Sequence, residues 1–122
     1  MVVVISSKQR FKDKATPTTL GEEVDLVSLP SMDDDYEVEG YIDLSQMQDG
    51  DEIIIREYIA VDGTTRRIFT CITLRNVQSE QVLRVPCRLI PFDGTYRITI
   101  TQTKGTLRTY PYSFVVMIYG TS

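Results

Sequence analysis

Twelve carboxylates crowd the stretch Gly21–Glu52, GEEVDLVSLPSMDDDYEVEGYIDLSQMQDGDE, which contains no Lys or Arg. Calcium could use them, because it takes about six to eight oxygen ligands from carboxylates and carbonyls. Asp33, Asp34 and Asp35 form one candidate cluster, and Asp49 and Asp51 another. Neither has the glycine at a sharp turn followed by a closing Glu that a calcium loop needs, so two solvated turns are the simpler expectation. Glycoside hydrolysis would need two carboxylates facing each other across a cleft, one with a raised pKa. Nothing singles out such a pair, and the chain has no Trp to build a sugar platform.

The chain also has no His, which removes the commonest general acid/base and the commonest zinc ligand. Its Ser and Thr hydroxyls therefore have no imidazole to activate them, and no nucleophile–base–orienter set can be assembled. We expect no enzymatic activity and no cofactor.

Two cysteines are too few for a disulfide scaffold. A hairpin of Arg66–Leu74 on Val82–Ile90, centred on Ser79, would set Cys71 opposite Cys87 and allow a cross-strand bridge. Pro86 beside Cys87 weakens regular pairing there, so two free, partly buried thiols are the favoured expectation.

The net charge of −4 conceals a partition. Residues 1–20 carry Lys8, Arg10, Lys12 and Lys14 against Asp13, giving +3; residues 21–52 carry −12; residues 53–122 carry +5. The later bases are all Arg except Lys104, and Arg suits bidentate contacts with carboxylates. Candidate interface residues are therefore Lys8, Arg10, Lys12, Lys14, Arg66, Arg67, Arg84 and Arg88. Their carboxylate partners could lie in the same subunit or in a neighbour. The basic N-terminal segment could touch nucleic acid, but a domain this acidic does not read as a nucleic-acid binder.

The elements that must position these groups read as strands almost throughout. EIIIREYIAV (52–61) is β-branched and aromatic, and the Asp-Gly that follows is a hairpin signal. RRIFTCITL (66–74), VLRVPCRLI (82–90), YRITITQT (96–103) and TLRTYPYSFVVMIYG (106–120) follow, separated by NVQSEQ, a second DGT and Lys-Gly. YEVEGYIDL (36–44) alternates around a Gly40 that suggests a bulge, and EVDLVSLP (23–30) is a further candidate. Pro86 marks its strand as an edge or a bulge. Residues 6–19 offer little to bury, so 1–20 is expected to be a flexible basic arm and 21–122 the folded domain. MVVVISS lacks the basic start of a secretory signal, and no apolar run reaches the roughly 18 residues of a membrane helix.

Strands at such spacing describe an all-β fold: a single antiparallel β-sandwich of six to eight strands, with a jelly roll as one form it could take. Gly40–Ile68 followed by Arg97–Val115 resembles short, uncharacterised β-rich proteins found among archaeal and bacterial virus genes. The shared features are a Gly-Asp before a strand with Arg-Glu-Tyr, a following Asp-Gly, and a late strand ending Gln-Thr-x-Gly before an aromatic strand. The resemblance implies a virion structural protein, a small capsid, decoration or spike-base subunit, and no catalytic residues. Its partners would be other virion subunits and further copies of itself, with no small-molecule substrate. The alternative is a non-catalytic module binding carbohydrate or another ligand, assisted by calcium.

Overall fold

The computed structural model describes residues 3–91 and 93–121. Eight strands follow one another: β1 (Val3–Ala15), β2 (Glu23–Leu29), β3 (Tyr36–Asp43), β4 (Glu52–Ala60), β5 (Arg67–Arg75), β6 (Val82–Ile90), β7 (Thr95–Lys104) and β8 (Tyr110–Thr121). They form two antiparallel four-stranded sheets, sheet A in the order β1-β8-β3-β6 and sheet B in the order β2-β7-β4-β5. The all-β sandwich expected from the sequence is the observed fold.

Four of the ladders pair β1 with β8, β2 with β7, β3 with β6 and β4 with β5. The chain thus behaves as one long antiparallel ribbon, doubled back on itself and wound so that successive pairs alternate between sheets. Among the described residues, only the β4–β5 turn is a hairpin. There Gly63 takes φ 81° and the Asp62 carboxylate accepts from the amides of Thr64 and Thr65. The second Asp-Gly and the Lys104–Gly105 turn instead carry the chain from one sheet to the other. The same turn chemistry serves both jobs, because it fixes a local reversal and not the strand that follows.

Alternation along each strand builds the core. Tyr36, Val38 and Ile42 of β3 and Phe114 and Val116 of β8 face Ile53 and Ile55 of β4 and Ile98 and Ile100 of β7, all of them buried. Gly40 lies opposite Phe114, whose ring occupies the space a side chain at Gly40 would need. The β3–β6 register shifts where Pro86 and Cys87 oppose Glu39 alone, so the bulge lies on β6 and not, as expected, on β3 at Gly40, and Pro86 stands on an edge strand and in a bulge. Proline has no amide to give the ladder, and the strand buckles where one is missing.

The expected basic arm is corrected. Residues 3–15 are an edge strand paired with β8 along its length, from Val3↔Thr121 to Ala15↔Tyr110. Over Val3–Arg10 it is exposed on both faces, which is why its composition reads as a tail. Phe11 packs on the core and Ala15 is buried in it, and the backbone ladder supplies the rest.

Gly40→Ala should cost about 1–3 kcal/mol, because the new methyl overpacks the site against Phe114 and the Ser113 carbonyl. Urea unfolding checks this: the midpoint should fall at constant m. An unchanged midpoint would mean that the ring moves aside freely.

Candidate functional site

The sequence-level candidates separate into three environments. The first is the sandwich interior near β5 and β6. Beyond the bulge at Pro86–Cys87, Arg88 pairs with the core residue Val38 and therefore points inward. Its guanidinium donates to both oxygens of Glu57 on the other sheet, at 3.2 and 3.0 Å. Glu57 is 3% exposed and also accepts from the Tyr96 and Thr70 hydroxyls. Arg88 stacks 5.4 Å from the Phe69 ring. Burial and the Glu57 hydrogen bond push the Tyr96 phenol far up, so it stays a donor. Arg88 was expected at an interface; it is an internal strut. Glu57 was missed, although its parity with Ile53, Ile55 and Ile59 already places it in the core row.

The second environment is the outer face of sheet B together with the loops below it, which account for much of the acidic run. Glu23 accepts from Tyr58 and Thr99 and lies 3.9 Å from Arg56 and 3.7 Å from Arg97. Arg97 also pairs with Asp25 at 2.7 Å and lies over Tyr58. Glu52 pairs with Arg75 and Lys104. Asp51 is buried: it pairs with Arg108 at 2.8 Å and accepts from the amides of Gln48 and Thr106, joining two loops. Burial pulls its pKa upward, and the hydrogen bonds and Arg108 outweigh that, leaving it below its usual 3.8. Arg66 donates to Thr95 and to the Leu29 carbonyl, while Arg67 is exposed.

No group of three potential metal ligands occurs among the described residues. The calcium candidates do not converge. Asp33, Asp34 and Asp35 occupy the exposed β2–β3 loop, Asp49 faces the Val77 amide, and Asp51 is committed to Arg108. The cysteines do not converge either. β5 and β6 lie in different sheets, so the hairpin that would set them opposite each other does not form, and both thiols are free and exposed rather than partly buried. Burial raises the Cys87 thiol, with further upward pressure from Glu37 and Glu39.

The third environment is the outer face of sheet A. Lys8, Arg10, Lys12 and Lys14 share one face of β1, and all are exposed. Among the described residues none of them lies within 4 Å of a carboxylate. β3 presents Glu37, Glu39, Tyr41 and Asp43 on the same side, with Tyr41 53% exposed. Between them β8 contributes Pro111, Ser113, Val115 and Met117. A shallow groove of about 360 Å³ opens here, walled by Arg10 and Lys12 on one side and Glu39 and Tyr41 on the other. Arg84 on β6 reaches Glu39 at 3.8 Å.

No family model matches the sequence, and no curated protein does. Solved structures do match in fold. One is of T=1 particles derived from infectious bursal virus, with 17% identity and a TM-score of 0.52 over 98% of this chain. Another is of the T13 particle of the same virus, with 16% identity and a TM-score of 0.51. The chain spans about a third of those viral chains, 31% in each case. A third is of the endospore appendages of Bacillus, described as disulfide-linked pili, with 15% identity and a TM-score of 0.52 over 98% of this chain and 95% of that one. At these identities the likeness is one of fold. It agrees with a β-rich fold and does not point to viruses of archaea or bacteria in particular.

Two outcomes follow. Arg88→Met should destabilise by about 3–5 kcal/mol, because it strands Glu57 in the interior, whereas Glu57→Leu with Arg88→Met should recover most of that loss. Urea unfolding of the two variants reads the difference, and equal losses would mean that the pair is not the strut. For Asp51, the depressed pKa means its contribution is present above about pH 4 and is lost as pH falls through the folded value. The stability gap between wild type and Asp51→Asn should therefore narrow as pH falls below about 4, measured as unfolding midpoints along the acid series.

Proposed function

We propose that this protein is a non-catalytic structural subunit of a viral particle, a small capsid, decoration or spike-base component, that acts by assembling with copies of itself and with other virion proteins. The observation that carries the reading is the winding of the ribbon. Ladders β1·β8, β2·β7, β3·β6 and β4·β5, split between two four-stranded sheets, support reading the sandwich as a jelly roll, an architecture of viral capsid and lectin domains. Fold alone does not assign function. The reading also draws support from the fold likeness to the infectious bursal virus particles and from a sequence without His. An outer face of sheet A whose four β1 bases have no carboxylate partner among the described residues supports it further.

The pilus likeness favours a second assembly reading, a filament subunit joined through thiols. Exposed Cys71 on one edge strand and exposed Cys87 on another are the observation behind it. The raised Cys87 pKa leaves that thiol less ionised and slower to exchange.

Light scattering across protein concentration and salt, with and without reductant, separates the two. The virion reading expects reductant-insensitive association that weakens as salt rises, and copies of the chain in purified particles. A reductant-sensitive ladder on a denaturing gel would instead favour the filament. A monomer under every condition, absent from particle fractions, would sink both.

A further inference from the structure

The ladders of sheet A place its outward residues in rows. Lys8 lies beside Met117, and Met117 beside Glu37. Arg10 lies beside Val115, and Val115 beside Glu39; Lys12 lies beside Ser113, and Ser113 beside Tyr41. Lys14 is opposite Pro111, and Asp43 continues β3 at that level. Across β1, β8 and β3 every row therefore reads base, neutral, then acid or tyrosine; on β6, Arg84 lies beside Tyr41 and reaches Glu39 at 3.8 Å. Base and acid are two strand spacings apart, about 10 Å, which is beyond ion-pair reach.

This pattern is its own complement. Rotation by a half-turn about a line parallel to the strands, lying over β8, carries the β1 column onto β3 and leaves each row at its own height. We propose that a second copy of the chain docks face to face on the outer surface of sheet A about this axis. Lys8 then meets Glu37 of the second copy, Arg10 meets Glu39, Lys14 meets Asp43, and Lys12 lies over the Tyr41 ring as a cation–π contact. The half-buried Val115 and Met117 of the two copies meet along the axis. The contact is isologous, so each pairing occurs twice.

A polyanion fits the face less well. A strand of phosphates laid along β1 would have the Glu37, Glu39 and Asp43 carboxylates about 10 Å away. A copy aligned by β1-to-β1 edge pairing would set the four bases against themselves, and like charges placed opposite each other across a ladder are unfavourable. Face-to-face docking is the arrangement in which both charged columns find partners. Three strands and four rows make a small contact, at the low end of specific interfaces, so the dimer should be weak and salt-sensitive. The inference rests on the assembly reading and names the surface that serves it.

Sedimentation of wild type and four variants at matched concentration tests it. Lys8→Glu with Arg10→Glu makes both columns acidic in those two rows; Glu37→Lys with Glu39→Lys makes both basic there. Each should self-associate about tenfold more weakly than wild type or worse, since like charges now face each other. Mixed together, the two should form a heterodimer, and the chain carrying all four substitutions should regain self-association. Tyr41→Ala, at an exposed position, should weaken the dimer without lowering the melting temperature. Wild type that associates while the charge variants associate equally well overturns this interface and leaves the assembly reading standing. Wild type that stays monomeric to millimolar concentration, and is absent from particles, overturns both.

Discussion

A buried ion pair ties the two sheets together through their interior, Glu57 on β4 with Arg88 on β6, alongside the hydrogen bond from Tyr110 on β8 to Gln102 on β7. Its cause is local. Pro86 cannot donate to the ladder, the register slips beside it, and the next residues change face. The slip sends Arg88 inward, and the apolar parity of β4 has Glu57 waiting there. Tyr96 and Thr70 complete the carboxylate's hydrogen bonds, so no buried side-chain polar atom among the described residues lacks a partner. A satisfied buried pair adds little net stability over an apolar replacement. Its consequence is alignment, since only one offset of sheet A over sheet B brings the guanidinium to the carboxylate.

The rest of the acidic run pairs mostly within its own sheet. Glu23, Asp25, Glu39, Asp51 and Glu52 meet Arg or Lys of their own chain. On the outer face of sheet B the network closes on itself: Glu23, Arg56, Arg97, Tyr58 and Thr99 occupy neighbouring strands within reach of one another. The two outer faces therefore differ in kind, although both are charged. Sheet B carries its charges mixed, and sheet A carries them sorted by strand.

The strands were legible in the sequence because alternation and β-branched runs survive without any tertiary help. Their partners were not. Asp62–Gly63 and Asp93–Gly94 look alike, yet the first closes a hairpin and the second leads from sheet A to sheet B. The N-terminal strand was misread for a related reason. Its only ladder partner, β8, lies at the far end of the chain, and most of its side chains stay in solvent. A strand held by its backbone leaves no apolar stripe to read. At the site, the sequence disclosed the segregation of charge but not the faces that receive it. Arg88 and Lys8 are both bases on edge strands; one is drawn into the core by a register slip and the other is held outside by regular alternation.

The sorting on sheet A follows from the winding. In a ribbon wound this way β1 and β3 fall on either side of β8, so a basic first strand and an acidic third strand are kept apart by an uncharged eighth. Had β1 lain directly beside β3, cross-strand pairs would have satisfied both columns inside the subunit, as they do on sheet B. The intervening column is what leaves two lines of charge of opposite sign exposed on one face. It also leaves them at a separation that a second surface can bridge and a single subunit cannot. The topology that specifies the fold thus also keeps the β1 bases out of reach of the β3 carboxylates, while Arg84 on the other flank of β3 reaches Glu39.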